Sequence, residues 1–180
     1  MHESLMAHGA RWWRHRWMHE RAAEQAVPPA MAEQLQARVN ASEARHSGEI
    51  VLCVEAALPN SHLWRAGREM PLTAVIRERA LSWFGKLRVW DTEHNNGVLI
   101  YLMLAERQLE IVADRGISRH VPAAHWQAVV QHLGEHLQTG DFDTGLTQAL
   151  QEVSALLVQH FPLQAGEANP NELCNRVVWA

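Results

Sequence analysis

Asp91, Glu93, Asn95 and Asn96 crowd the residues just before Gly97, and Asp114 follows a second apolar run a short way on. Carboxylate and amide oxygens are the ligands that hard cations such as Ca²⁺ and Mg²⁺ prefer. A carboxylate held among them can also serve as a base, or as a nucleophile in phosphoryl transfer. Glu43, His46 and Glu49 form a further polar group directly ahead of the first apolar run. A simpler reading competes: Asn95-Asn96-Gly97 and Asp114-Arg115-Gly116 supply the backbone freedom that tight turns need.

Two other stretches carry chemistry. "HLGEH", His132 to His136, matches the inverted zincin pattern, in which histidines one helical turn apart share a metal. Short matches of this kind are mostly accidental, and a solvated polar flank accounts for this one. "RWWRHRWMHE", Arg11 to Glu20, interleaves arginine and histidine with Trp12, Trp13 and Trp17. Such a segment docks its tryptophans on its own domain, or offers them to a protein partner or a membrane interface. Ser47 beside His46 is no triad, since sequence neighbours rarely face each other. There is no phosphate-cradling glycine loop, no G-x-S-x-G elbow and no CxxC. Cys53, inside an apolar run, reads as a small buried hydrophobe.

The elements that must position these residues are legible in the pattern. Residues 3–26 read as one helix with Met6, Ala10, Trp13 and Trp17 on a single face. Pro28-Pro29 opens a second, carrying Met31, Leu35 and Val39. "GEIVLCVEAA" from Gly48 is nearly continuous in apolar residues, as a strand covered on both faces should be. Residues 60–70 look irregular. Pro71 opens a helix that reaches Gly85. "VLIYLML" and "QLEIVAD", close together, predict a β-hairpin. Pro122 opens a helix with Trp126, Val130, Leu133 and Leu137 aligned. "TGDFDTG" reads as a turn, Thr144 to His160 as the last helix, and "RVVW" as a short edge strand.

In a hairpin the start of one strand lies beside the end of its partner. Asn95, Asn96 and Asp114 therefore belong at one end of the sheet. If the first strand runs parallel to the second, Glu43, His46 and Glu49 join them, with Asp91 and Glu93 in reach. The chain of 180 residues is long enough for a real core without disulfides, and its net charge of −4 argues against a nucleic-acid partner. Two cysteines make no framework. No apolar signal core occurs in residues 1–30, and the run Val98 to Ala105 is too short to span a bilayer. A cytoplasmic chain, at most peripheral to a membrane, is expected.

"SEARHSGEIVLCVEAAL", "NNGVLIYLMLAERQLEIVADRGI" and "NPNEL", in this order, resemble the TPM domain family, named for plant thylakoid-lumen and photosystem-repair proteins and a worm membrane protein. The resemblance runs from about Pro28 to Pro162, and "NPNEL" is similar to the tail of short soluble bacterial members. It implies an α/β fold: a three-layer α/β/α sandwich on a small mixed sheet containing the hairpin. It implies an interaction or maintenance module serving a membrane-associated complex. From the thylakoid branch it implies a Ca²⁺ or other divalent-cation site and, alternatively, cation-dependent acid phosphatase activity. Carried over, it points to Asn96 and Asp114 as metal-lining positions, with Glu43 beyond them, and to Asp114 as the catalytic candidate. Asn95 stands where relatives often place an aspartate. The expected organisation is a Trp/Arg-rich helix over residues 1–27, the domain over 28–163 and a tail over 164–180, with Trp12, Trp13 and Trp17 meeting a protein partner.

Overall fold

A computed structural model describes residues 5–18, 21–164 and 169–180, apart from the side chains of residues 5–10 and 135. The chain folds as α1 (Leu5–Trp17), α2 (Arg21–Ala26), α3 (Pro29–Glu43), β1 (Ile50–Glu55), α4 (Asn60–Arg65), α5 (Leu72–Lys86), β2 (Val98–Met103), β3 (Gln108–Ala113), α6 (Arg115–Ser118), α7 (Ala123–Thr139), α8 (Phe142–His160) and β4 (Val178–Trp179). The sheet order is β3-β2-β1-β4. β1 pairs parallel with both β2 and β4, while β2 and β3 form the antiparallel hairpin, with Val98 opposite Ala113 and Met103 opposite Gln108. A 3₁₀ turn at Leu104–Glu106 and a left-handed Arg107 join the two strands.

Every residue of β1 and β2 is buried, because helices cover both faces. Ile50, Leu52, Val54, Val98, Ile100 and Leu102 pack with Val39, Leu133 and Leu157 from α3, α7 and α8. Val51, Cys53, Leu99, Tyr101 and Met103 point the other way, onto Leu63 of α4 and Val75, Ile76 and Ala80 of α5. The two-residue period of a strand divides the chain's apolar residues between two cores, giving the α/β/α sandwich.

Prolines set the helix starts from just outside. Pro28, Pro59, Pro71 and Pro122 each hold extended backbone immediately before α3, α4, α5 and α7, and none of these helices has a side-chain cap. A ring that locks φ near −60° and donates no N–H suits a position where the next helix has no partner to offer. Asp114 and Asp141 cap α6 and α8 instead, accepting from Arg115 N and Thr144 N.

Four details differ from expectation. The single helix over 3–26 is two, because Ala23 and Val27 turn into the α3/α8 core while α1 docks elsewhere. The stretch expected to be irregular contains α4, whose Leu63 is buried. A one-turn α6 follows β3. The "TGDFDTG" turn shrinks to Gly140 and Asp141, because the Asp141 cap starts α8 at Phe142.

The outward face of α1 carries the tryptophans. Trp12, Trp13 and Trp17 do not dock on the domain: they are 40, 57 and 69 % exposed. The helix is held by its polar side. His15 is buried, accepts from Leu58 N through Nδ1 at 3.0 Å, and meets Glu106 Oε1 through Nε2 at 2.8 Å. Arg14 donates to both oxygens of Glu106 at 2.9 and 3.0 Å. Burial alone would raise the Glu106 pKa, but the His15 and Arg14 bonds outweigh it and hold the carboxyl below its usual range. Met6 and Ala10, expected on the tryptophan face, have side chains outside those described.

Candidate functional site

Because β1 and β2 are parallel, both begin at the same end of the sheet, which we call the leading end; β3 finishes there. The local backbone is tightly built. Asn95 is left-handed (φ 52°), as the turn reading expects, and its carbonyl accepts from Gly116 N at 2.7 Å. A Cβ on Gly116 would strike the carbonyls of His94 and Asn95, and one on Gly97 would strike the carbonyl of Val89. Asp114 N donates to Gly97 O at 2.9 Å, which closes the last rung of the hairpin beside Asn96.

Asn96 is fully buried. Its Nδ2 donates to Ser47 Oγ at 3.3 Å, and its Oδ1 has no partner. Asp114 is 8 % exposed; its Oδ1 caps α6 from 2.7 Å, and its Oδ2 is buried without a partner. The other acids of the interior are satisfied. Glu43 accepts from Ile50 N and from Asn175 Nδ2, and Glu49 from Glu172 N and Leu173 N. Glu55 accepts from Arg79, from Trp83 Nε1 at 2.9 Å and from the Tyr101 hydroxyl at 2.5 Å. Unmatched buried oxygens cost roughly 1–3 kcal/mol each, and these two belong to residues flanking one rung of the hairpin, which makes that place the candidate site.

Not every expected residue faces that place. Asn95 Oδ1 already accepts from Arg115 Nε at 2.7 Å. Glu43 turns instead to an open cleft of about 500 Å³ lined by Asn40, Leu163 and the tail residues Asn169, Asn171 and Asn175. Burial, reinforced by the charge of Glu49, pushes the Glu43 carboxyl up to about 7. Burial raises Glu49 as well. Asp91 pairs with Arg88 at the surface, and Glu93 contributes only its N–H, to Glu172. Among the described residues no three His, Cys, Asp or Glu side chains converge on one metal position. A cation here would be held by Asn96 and Asp114 with main-chain or water oxygens, a donor set that suits Ca²⁺ better than Zn²⁺. On α7, His132 is exposed and His136 leans toward Asp141 at 3.7 Å; Glu135 lies outside the described side chains.

Sequence reasoning missed the partner of His46. Its Nδ1 donates to Gly48 O at 3.0 Å, and its Nε2 lies 2.7 Å from Ser42 Oγ. Ser42 and Ser154 hydroxyls are 2.5 Å apart, and Arg45 donates to Ser154 at 2.9 Å. Burial pulls the imidazole pKa down to about 4, so the ring is neutral and Nε2 accepts. Arg45, Ser154, Ser42 and His46 thus form one connected polar chain. The i, i+4 spacing of Ser42 and His46 was the available signal.

The family model of the TPM domain matches residues 22–156. No curated protein matches the chain. Among solved structures, the chain is similar to the BA42 protein of the psychrophilic bacterium Bizionia argentinensis, at 22 % identity and a TM-score of 0.67, covering 83 % of this chain and 92 % of that one. It is also similar to the N-terminal domain of a P. gingivalis protein, at 20 % identity and a TM-score of 0.47, covering 76 % and 82 %.

Proposed function

Since the chain belongs to the TPM domain family, we propose that it is an interaction or maintenance module for a membrane-associated complex, and that it carries a pocket for Ca²⁺ or another divalent cation at Asn96 and Asp114. One observation carries the pocket: Asn96 Oδ1 and Asp114 Oδ2 are buried and unpartnered in a protein that satisfies Glu43, Glu49 and Glu55 fully. A bound cation would neutralise Asp114 and lock the hairpin end against α6; the protein's own residues do the orienting.

Calorimetric titration and melting with Ca²⁺, Mg²⁺ and Mn²⁺ test this. Saturating cation at a hundred times its Kd is expected to stabilise the wild type by about 2.7 kcal/mol. Asp114→Asn keeps the helix cap but removes the charge, and is expected to lose that gain. No heat and no shift with any of the three ions would remove the pocket. The alternative is a cation-dependent acid phosphatase with Asp114 catalytic. It is favoured by the free Oδ2, but the other acids at this end, Glu43 and Glu49, each already accept two bonds. Phosphate-ester hydrolysis that Asp114→Asn abolishes would establish it over the non-catalytic reading.

A further inference from the structure

We propose that α1 is a membrane-docking helix, whose face bearing Trp12, Trp13, Arg16 and Trp17 seats on an anionic lipid surface. This deepens the interaction-module reading above by naming the partner, and it is independent of the cation pocket.

At 100° per residue those four positions fall within an arc of about 140°, and Arg11, Arg14 and His15 fall on the opposite side. The structure uses the two sides in inverted fashion. The polar side faces the protein, tied to Leu58 N and Glu106. The aromatic side faces out. Trp13 and Trp17 stack with ring centroids 6.2 Å apart, Trp12 meets Trp13 edge-on at 6.1 Å, and the Arg16 guanidinium lies 5.6 Å from the Trp12 ring. A helix facing water would bury its tryptophans, each of which carries a large apolar area. Placed outward, an apolar ring with a polar N–H fits the headgroup boundary of a bilayer, where tryptophan is enriched.

Charge selects the lipid. α1 contains Arg11, Arg14 and Arg16 and, from Leu5 to Trp17, no Asp or Glu. Glu106 offsets one of the three. The whole chain carries −4, so this patch runs against the sign of the rest and orients the molecule at a negative surface. A second pair of the same kind follows Leu58, the residue whose N–H holds His15. α4 begins two residues after Leu58, its Trp64 is 63 % exposed, and the Arg68 guanidinium sits 3.9 Å from that ring.

The test is co-sedimentation of the full chain with vesicles of phosphatidylcholine alone and of phosphatidylcholine mixed with phosphatidylglycerol. Wild type is expected to bind the mixed vesicles and not the neutral ones. The triple substitution Trp12→Ser, Trp13→Ser, Trp17→Ser is expected to lose binding by more than roughly tenfold, and Arg16→Gln by roughly fivefold. Both should melt as wild type does, since these side chains are exposed. Trp90→Ser, an exposed tryptophan beyond α5, should bind as wild type does, and binding is read without added divalent cation, which separates this result from the fate of the cation pocket. Equal binding to both vesicles, or full binding by the triple variant, would overturn the proposal. So would self-association that the triple variant abolishes while no vesicle is bound, which would give the face to a second copy of the chain.

Discussion

Glu43 and His46 sit three residues apart at the head of β1, both buried, and burial drives their pKa values in opposite directions. Glu43 goes from 4.5 up to about 7, so the folded state binds more protons than the unfolded one in that interval. Its stabilising contribution is whole below about 4.5 and is lost as pH rises toward 7. His46 goes from 6.5 down to about 4, so its contribution is whole above about 6.5 and is lost as pH falls toward 4. The two slopes oppose each other across the shared interval. Relative to wild type, Glu43→Gln is therefore expected to make the melting temperature climb more steeply from pH 4.5 to 6.5. His46→Asn is expected to make it fall over the same span. Melting curves at four pH values check both signs, and parallel curves for all three proteins would contradict the burial account. The candidate site was partly legible at this scale. Asn96 and Asp114 lie where hairpin geometry puts them. Asn95 and Glu43 are bonded elsewhere, to Arg115 and Asn175. The Glu43 contact crosses more than a hundred residues, and no local pattern announces it.

The elements that position the site follow from periodicity and punctuation. β1, β2 and β3 showed themselves as short apolar runs, and each proline that was expected to open a helix does precede one. α4 was missed because six residues are too few for a periodic signal. The split between α1 and α2 was missed because tryptophan spacing looks the same whether the face points in or out. What locks the hairpin is close approach of backbone at its start. Gly97→Ala would press a methyl into the carbonyl of Val89 and is expected to cost about 1–3 kcal/mol. Gly85→Ala, in α5 with open space around it, is expected to gain about 0.5–1 kcal/mol. Chemical denaturation of the pair reads the contrast directly.

Across the whole molecule, the C-terminal tail is what finishes the sheet. β4 pairs with β1 at Cys53 and Val54, Trp179 Nε1 donates to Val27 O at 3.1 Å, and the tail supplies the donors for Glu43 and Glu49. Removing residues 164–180 leaves two buried carboxylates short of partners and bares a strand whose six residues are all buried. A loss of roughly 3–5 kcal/mol is expected, near a 10 °C fall in melting temperature, with concentration-dependent association through the uncovered edge. Light scattering beside calorimetry separates the two effects. The parallel pairing of β1 and β2 has a last consequence. Asn96 and Asp114 sit where those strands begin, while Leu58 and Glu106, which hold α1, come just after they end. Six residues at about 3.3 Å make the strands a ruler of about 20 Å between the two. A group on the tryptophan face and a cation at Asn96 and Asp114 would therefore lie toward opposite ends of the sheet. Both could then be occupied at once without touching.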